Sequence, residues 1–267
     1  MFGHIGAITM LHFLKAQWQA PASVQALTLA RVGGVSADLY SSMNCAVHVG
    51  DQPLHIAHNR MQLTETLKQQ NPSLEFQWLD QVHGHQVLVN PPCRQLEVGD
   101  AIYLNQPNKV AVVQTADCVP IFLCAKNGEE VALVHAGWRG LAGGILAKTL
   151  ENFSSPKQAI QAFVGAAICR DHYWVGDEVR DQFISQNSAL HKAFSLKERA
   201  SAKAQNTHGT SLWYFDLYRA SAIYLRGLGI HQITLSGYCT YEHHRLFYSV
   251  RRKSVTGRNA HLVWLQS

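Results

Sequence analysis

Buried, mixed β-sheets flanked by helices are what this 267-residue sequence predicts. Three observations point there. Residues 110–115 (VAVVQT), 119–124 (VPIFLC) and 131–135 (VALVH) are nearly continuous apolar runs, the mark of strands covered on both faces. Helix-spaced apolar stripes lie between runs of this kind. Strands and helices mix without the strict alternation of a Rossmann or barrel pattern.

Along the chain, 24–30 and 86–89 are short and β-rich, and 160–164, 232–235, 246–250 and 261–265 complete the expected strands. Residues 54–70 place Ile56, Leu63 and Leu67 on one helical stripe. From about Leu141, Ala142, Leu146, Leu150 and Phe153 share one face of another helix. Val179, Phe183 and Ile184 line a shorter helix after the Gly176-Asp177 turn. Asp216 is placed to cap a helix that buries Leu217, Ala220, Tyr224 and Leu228 and stops at Gly229.

Hydrophobic residues make up 47% of the chain and charged ones only 15%, so a full core is available and extended disorder is not expected. The formal net charge of +5 is spread out, densest at Arg251, Arg252 and Lys253. That balance suits a small anionic substrate; no basic arm or aromatic-interleaved stripe points to nucleic acid. No run has the length of a membrane span, and the apolar first residues lack a basic leader and a cleavage site. They read as a tail or added strand over 1–17, ahead of one domain over 18–267, with Met1 or Met10 as the start. The six cysteines, without a signal peptide, read as thiols of a reducing cytoplasm.

Three short segments concentrate unusual chemistry: DQVHG at 80–84, TADCVP at 115–120 and HAGWRG at 135–140. Each ends or separates apolar runs, where a scaffold brings distant side chains together. His83, Cys118 and His135 are suitable zinc ligands, and three protein ligands leave a fourth position for water or substrate, the catalytic arrangement. Asp117 adjoins the thiol and is placed to move a proton or orient a ligand. Arg139 adds a fixed charge where a helix is expected to begin. From spacing alone the three ligands are also compatible with ordinary core residues. A metal-free reading makes Cys118 a nucleophile, His135 its base and Asp117 the orienting group.

Together these segments resemble the laccase-domain or polyphenol-oxidase-like family, whose bacterial members are also described as purine nucleoside phosphorylases and peptidoglycan editing factors. The resemblance runs from about Trp18 to Leu265. It adds RVGGVS at 31–36, HVGD at 48–51, Asn59-Arg60, VGDEV at 175–179, SGYCT at 236–240 and TGR at 256–258. Cys45-Ala46 stands where the family tends to have Leu-Gly, and 165–168 has Ala where Gly-Pro is common.

The resemblance implies an α/β/β/α layered sandwich and one zinc per chain on His83, Cys118 and His135, with copper taken up on metal loading. It implies phosphorolysis of adenosine, inosine and 5′-methylthioadenosine, and deamination of adenosine. Asp117, Cys118 and Arg139 are then the expected catalytic residues. Arg31, Asn44 and Arg258 are the expected contacts to nucleoside and phosphate. A copper-dependent polyphenol oxidase and a cell-wall precursor hydrolase are the rival readings. The paired His-x-His strings of multicopper sites are not found; His83-Gly84-His85 is a single such string.

Overall fold

The computed structural model describes residues 11–198 and 211–267. In chain order the strands are β1 (Phe13–Lys15), β2 (Val24–Leu29), β3 (Glu75–Asp80), β4 (Val87–Val89), β5 (Glu97–Val98), β6 (Ala101–Leu104), β7 (Lys109–Thr115) and β8 (Val119–Ala125). They continue as β9 (Val131–Ala136), β10 (Ile160–Val164), β11 (Trp174–Val175), β12 (Phe194–Glu198), β13 (Leu212–Phe215), β14 (Gln232–Leu235) and β15 (Asn259–Leu265). The helices are α1 (Pro53–Lys68), α2 (Trp138–Ala142), α3 (Ile145–Leu150), α4 (Asp177–Gln186) and α5 (Leu217–Gly227).

Two six-stranded sheets have the orders β1-β2-β15-β7-β3-β5 and β14-β10-β8-β9-β6-β4. Both are mixed: β7 runs antiparallel to β15 and parallel to β3, while β10 runs antiparallel to β8 and parallel to β14. A third, three-stranded sheet joins β11, β13 and β12.

Side-chain alternation sets the layers. Ala111 and Val113 of β7 meet Phe122, Cys124, Val131 and Leu133 of β8 and β9 between the two large sheets. Val110 and Val112, on the opposite face of β7, pack with Leu63 and Leu67 of α1. Ile121, Leu123, Ala132 and Val134 turn the other way, toward Leu146, Phe183 and Leu225 of α3, α4 and α5. The result is helix, sheet, sheet, helices. The central strands read as continuous apolar runs because both their faces are buried.

Two expectations are corrected. The run 246–250 forms no strand. Phe247 and Tyr248 are buried in a turn-rich segment, and Asn259 supplies the missing partner. Its side chain accepts from the Tyr248 N–H at 2.7 Å and donates to the Tyr248 carbonyl at 3.0 Å. The helix expected from Leu141 begins earlier, at Trp138, and breaks at Gly143 and Gly144 before α3; Gly144 has a φ of +79°. α5 does follow Asp216, whose side chain accepts from the Arg219 N–H, and Gly229 ends it at a φ of +90°. At the N-terminal side β1 adds to the edge of the first large sheet by pairing with β2. Met1 and Met10 lie outside the described residues.

Candidate metal centre

β8 and β9 are antiparallel neighbours, with Val119 opposite Ala136 and Pro120 opposite His135. Cys118 immediately precedes β8, so the pairing sets its thiol beside the end of β9. The loop after β3 carries His83 to the same place. One donor atom each from His83, Cys118 and His135 lies within 4.8 Å of the others. The two imidazole rings meet edge to face, with centroids 4.7 Å apart. His135 is buried, Cys118 half-buried and His83 exposed, so the donors form a graded mouth.

Backbone strain marks the site. His83 and Asp117 have φ of 57° and 99°, in the left-handed region that β-carbon sterics disfavour. Hydrogen bonds hold both. The His83 and Gly84 N–H groups donate to Asp100 Oδ1 and Oδ2 at 3.0 and 2.6 Å. Asp117 Oδ1 accepts from Thr240 Oγ1 at 2.7 Å, and Oδ2 accepts from the Arg251 N–H at 2.7 Å.

Asp100 is the group the sequence reading missed. Its Oδ1 lies 2.8 Å from His135 Nδ1. β6 and β9 pair antiparallel, and the His135 N–H donates to the Asp100 carbonyl at 2.7 Å, so strand register places the carboxylate there. With Nδ1 engaged, Nε2 is left for the thiol or a metal. Asp117 was expected to orient the imidazole. That role falls to Asp100, because both Asp117 oxygens already tie loops together.

The electrostatics follow from this packing. Burial alone would raise the Cys118 thiol, but the His135 cation and hydrogen bonds from His135 and His83 hold it at about 6. Burial alone would lower His135, yet the Cys118 sulfur and the Asp100 carboxylate raise it to about 9. Burial would raise Asp100 as well; the bond from His135 and the Gly84 and His83 N–H groups pull it below its ordinary value. A thiol readily ionised between two imidazoles, one of them oriented by a carboxylate, is a donor set that fits a zinc-class ion.

A cavity of about 390 Å³ opens over these donors. Gln81, Gln114, Thr115, Asp117, His48, Tyr173, Arg251 and Arg258 line it with them. Gln81 exchanges two hydrogen bonds with the Gln114 backbone, at 2.8 and 2.7 Å, and so fixes the loop that carries His83. Gln114 is buried and its Nε2 has no hydrogen-bond partner among the described residues.

The arginines sort differently from expectation. Arg258 lines the cavity as expected. Arg251 joins it, stacked 4.8 Å over the Trp174 ring; the sequence showed it only as part of a basic run. Arg139 does not line the cavity: α2 starts at Trp138 and turns this residue outward, over the Trp138 ring at 4.3 Å. Arg31 does not line it either, since its guanidinium donates to the Ser41 and His244 carbonyls. Asn44 is fully buried, and its Oδ1 accepts from the Ala46 and Arg258 N–H groups. It positions the Arg258 backbone and does not line the cavity.

Comparison with known proteins agrees with this architecture. The family described as multi-copper polyphenol oxidoreductase laccase matches residues 25–266. A protein of Pseudomonas aeruginosa named purine nucleoside phosphorylase is 38% identical, across 95% of this chain and 98% of that one. Purine nucleoside phosphorylase YfiH of Escherichia coli K12 is 36% identical, across 96% and 100%. A crystal structure of a Neisseria meningitidis protein superposes with a TM-score of 0.85 at 34% identity, covering 96% of this chain and 99% of that one. With a match over nearly its whole length and relatives more than a third identical, the chain belongs to the multi-copper polyphenol oxidoreductase laccase family.

Proposed function

We propose that this protein is a zinc-dependent purine nucleoside phosphorylase acting on adenosine, inosine and 5′-methylthioadenosine. The observation that carries the reading is one cavity lined by His83, Cys118 and His135 together with two guanidinium-bearing residues, Arg251 and Arg258. Its volume, about 390 Å³, lies within the usual range of small-molecule sites. The names carried by the relatives from P. aeruginosa and E. coli support the reaction class.

Phosphorolysis joins a phosphate oxygen to ribose C1′ while the bond from C1′ to the purine nitrogen breaks, and the base leaves with that electron pair and takes a proton. Arg251 and Arg258 neutralise the phosphate and aim it at C1′. Gln114 Nε2, buried and unpartnered, offers its hydrogen to an acceptor on the base. Asp117, held by Thr240 and the Arg251 N–H, fixes the wall behind the sugar. Bound on the three ligands, zinc supplies a Lewis acid beside the reacting centre. Adenosine deamination is a second reaction of the same cavity.

The six cysteines are all unpaired, which supports a reducing, cytoplasmic setting. Among the described residues no helix is long and apolar enough to cross a membrane.

The test is phosphate-dependent release of hypoxanthine from inosine by protein purified without added metal. Loss of that activity in Cys118→Ala supports the assignment. Absence of base release from all three nucleosides overturns it. Inosine formed from adenosine without phosphate reports the deaminase reaction.

One observation favours a second reading. Cys118, His135 and Asp100 form the thiol, imidazole and carboxylate series of a cysteine hydrolase, with Asp100 in place of the expected Asp117. A covalent Cys118 adduct formed with a cell-wall precursor would select that reading. The polyphenol-oxidase reading has less support, because the three donors of this cavity are the complement of a single ion. Copper takes the same ligands on loading.

A further inference from the structure

A second group of donors lies on the two segments that hydrogen-bond Asp117. Cys169, His172 and Glu242 each offer one ligand atom within 4.8 Å of the others. His172 Nε2 lies 3.2 Å from Glu242 Oε1, and Cys169 Sγ lies 3.8 Å from the same oxygen. The Cys239 thiol, almost fully buried, adjoins Cys169 and accepts from the Cys169 N–H at 3.3 Å. The His172 ring is stacked on Tyr241 at 4.1 Å, which fixes the direction of its Nε2.

An exposed histidine and glutamate at this distance are ordinarily a weak surface ion pair. Two features set this group apart. A thiol belongs to it, with a second thiol adjoining, and the spacings of Cys169, His172 and Glu242 are those of one coordination sphere. Zinc bonds of about 2.1 Å to nitrogen or oxygen and about 2.3 Å to sulfur, at a tetrahedral angle, place N and O about 3.4 Å apart and S and O about 3.6 Å apart. The observed 3.2 and 3.8 Å need only side-chain adjustments of a few tenths of an ångström.

We propose that Cys169, His172 and Glu242 form a second metal site for a borderline-soft divalent cation of the zinc class. Its three ligands come from two segments far apart in the chain, so the ion acts as a clip between them. It clips the segment after β10 to the turn after β14. Both segments also hold Asp117: the Ile168 N–H donates to its carbonyl at 3.1 Å and Thr240 Oγ1 to its carboxylate at 2.7 Å. The second ion therefore braces the wall of the first cavity without entering it.

The test is zinc content by elemental analysis of full-length protein purified without chelator. About two zinc ions per chain are expected, falling to about one in Cys118→Ser and to about one in Cys169→Ser or Glu242→Gln. Glu242 is exposed, so its variant keeps the fold available if a cysteine variant fails to fold. In Cys118→Ser loaded with cobalt(II), a thiolate charge-transfer band reports the second site alone. Alkylation of Cys169, followed by mass spectrometry, is expected to accelerate when that metal is chelated. Zinc content unchanged by Glu242→Gln and Cys169→Ser overturns the proposal, as does recovery of a Cys169–Cys239 disulfide. Failure at the first site appears in the Cys118→Ser comparison and is read separately.

Discussion

Asp100 Oδ1 lies 2.8 Å from His135 Nδ1, and the same carboxylate accepts the backbone N–H groups of His83 and Gly84. One buried side chain thus orients one imidazole and anchors the loop that carries the other. Removing it disturbs two of the three candidate metal donors at once. Asp100→Ala is expected to weaken metal binding by about 10- to 100-fold, the range for losing a carboxylate behind a metal-bound histidine. Competition with a fluorescent chelator measures this; affinity equal to wild type would falsify it.

Gly137 separates His135 from α2, and a β-carbon there would lie 3.0 Å from Cys118 Sγ and 3.3 Å from His83 Cδ2. Both atoms belong to the donor set, so the crowding cannot be relieved at a free side-chain end. Gly137→Ala is expected to lower metal content more than it lowers thermal stability. A variant with full metal content and wild-type activity would show that the donors can retreat.

Arg258 faces the cavity with its backbone pinned by Asn44. Arg258→Gln is expected to raise the KM for phosphate at least tenfold, about 1.4 kcal/mol, while leaving metal content unchanged. Arg31→Gln, which alters a group outside the cavity wall, is expected to leave that KM within twofold. Equal effects of the two substitutions would remove the proposed phosphate contact.

His261 is fully buried between Thr28 and Thr115, with ring nitrogens 2.9 Å from each hydroxyl. Burial pushes it down to about 3 from the usual 6.5. The folded protein keeps it neutral, whereas the unfolded chain takes up a proton below about 6.5. Its contribution to stability is therefore intact above that pH and is lost as pH falls toward 3, by up to about 1.4 kcal/mol per pH unit. Urea unfolding at pH 7 and pH 5 should show a smaller pH dependence in His261→Gln than in wild type. Identical dependence would place the acid sensitivity elsewhere.

Asn259 replaces a strand partner for Tyr248 through two hydrogen bonds in a buried setting. Asn259→Ala leaves a buried N–H and a buried carbonyl unpaired, at a cost of about 2–4 kcal/mol. Chemical denaturation reads this directly, and a loss below about 0.5 kcal/mol would mean that water replaces the amide.

The central strands, α1, α4 and α5 were readable because apolar periodicity reports how many faces of an element are covered. The run 246–250 was misread for the same reason. Phe247 and Tyr248 are buried, but their backbone is satisfied by a side chain, which hydrophobic pattern does not record. Arg139 looked like a pocket residue through its closeness to His135 in sequence. A helix that already starts at Trp138 turns it away, while Arg251 arrives from a distant loop.

By itself the sequence determined the mixed α/β class and offered His83, Cys118 and His135 as candidate donors, since residue type and apolar patterning are local properties of the chain. Only the tertiary structure decided that Asp100 orients His135, that Arg251 replaces Arg139 at the cavity, and that Cys169, His172 and Glu242 converge. Each of these depends on strand register or loop placement between residues far apart in the chain. Register is fixed by how buried faces pair across the sheets, so no short segment contains it.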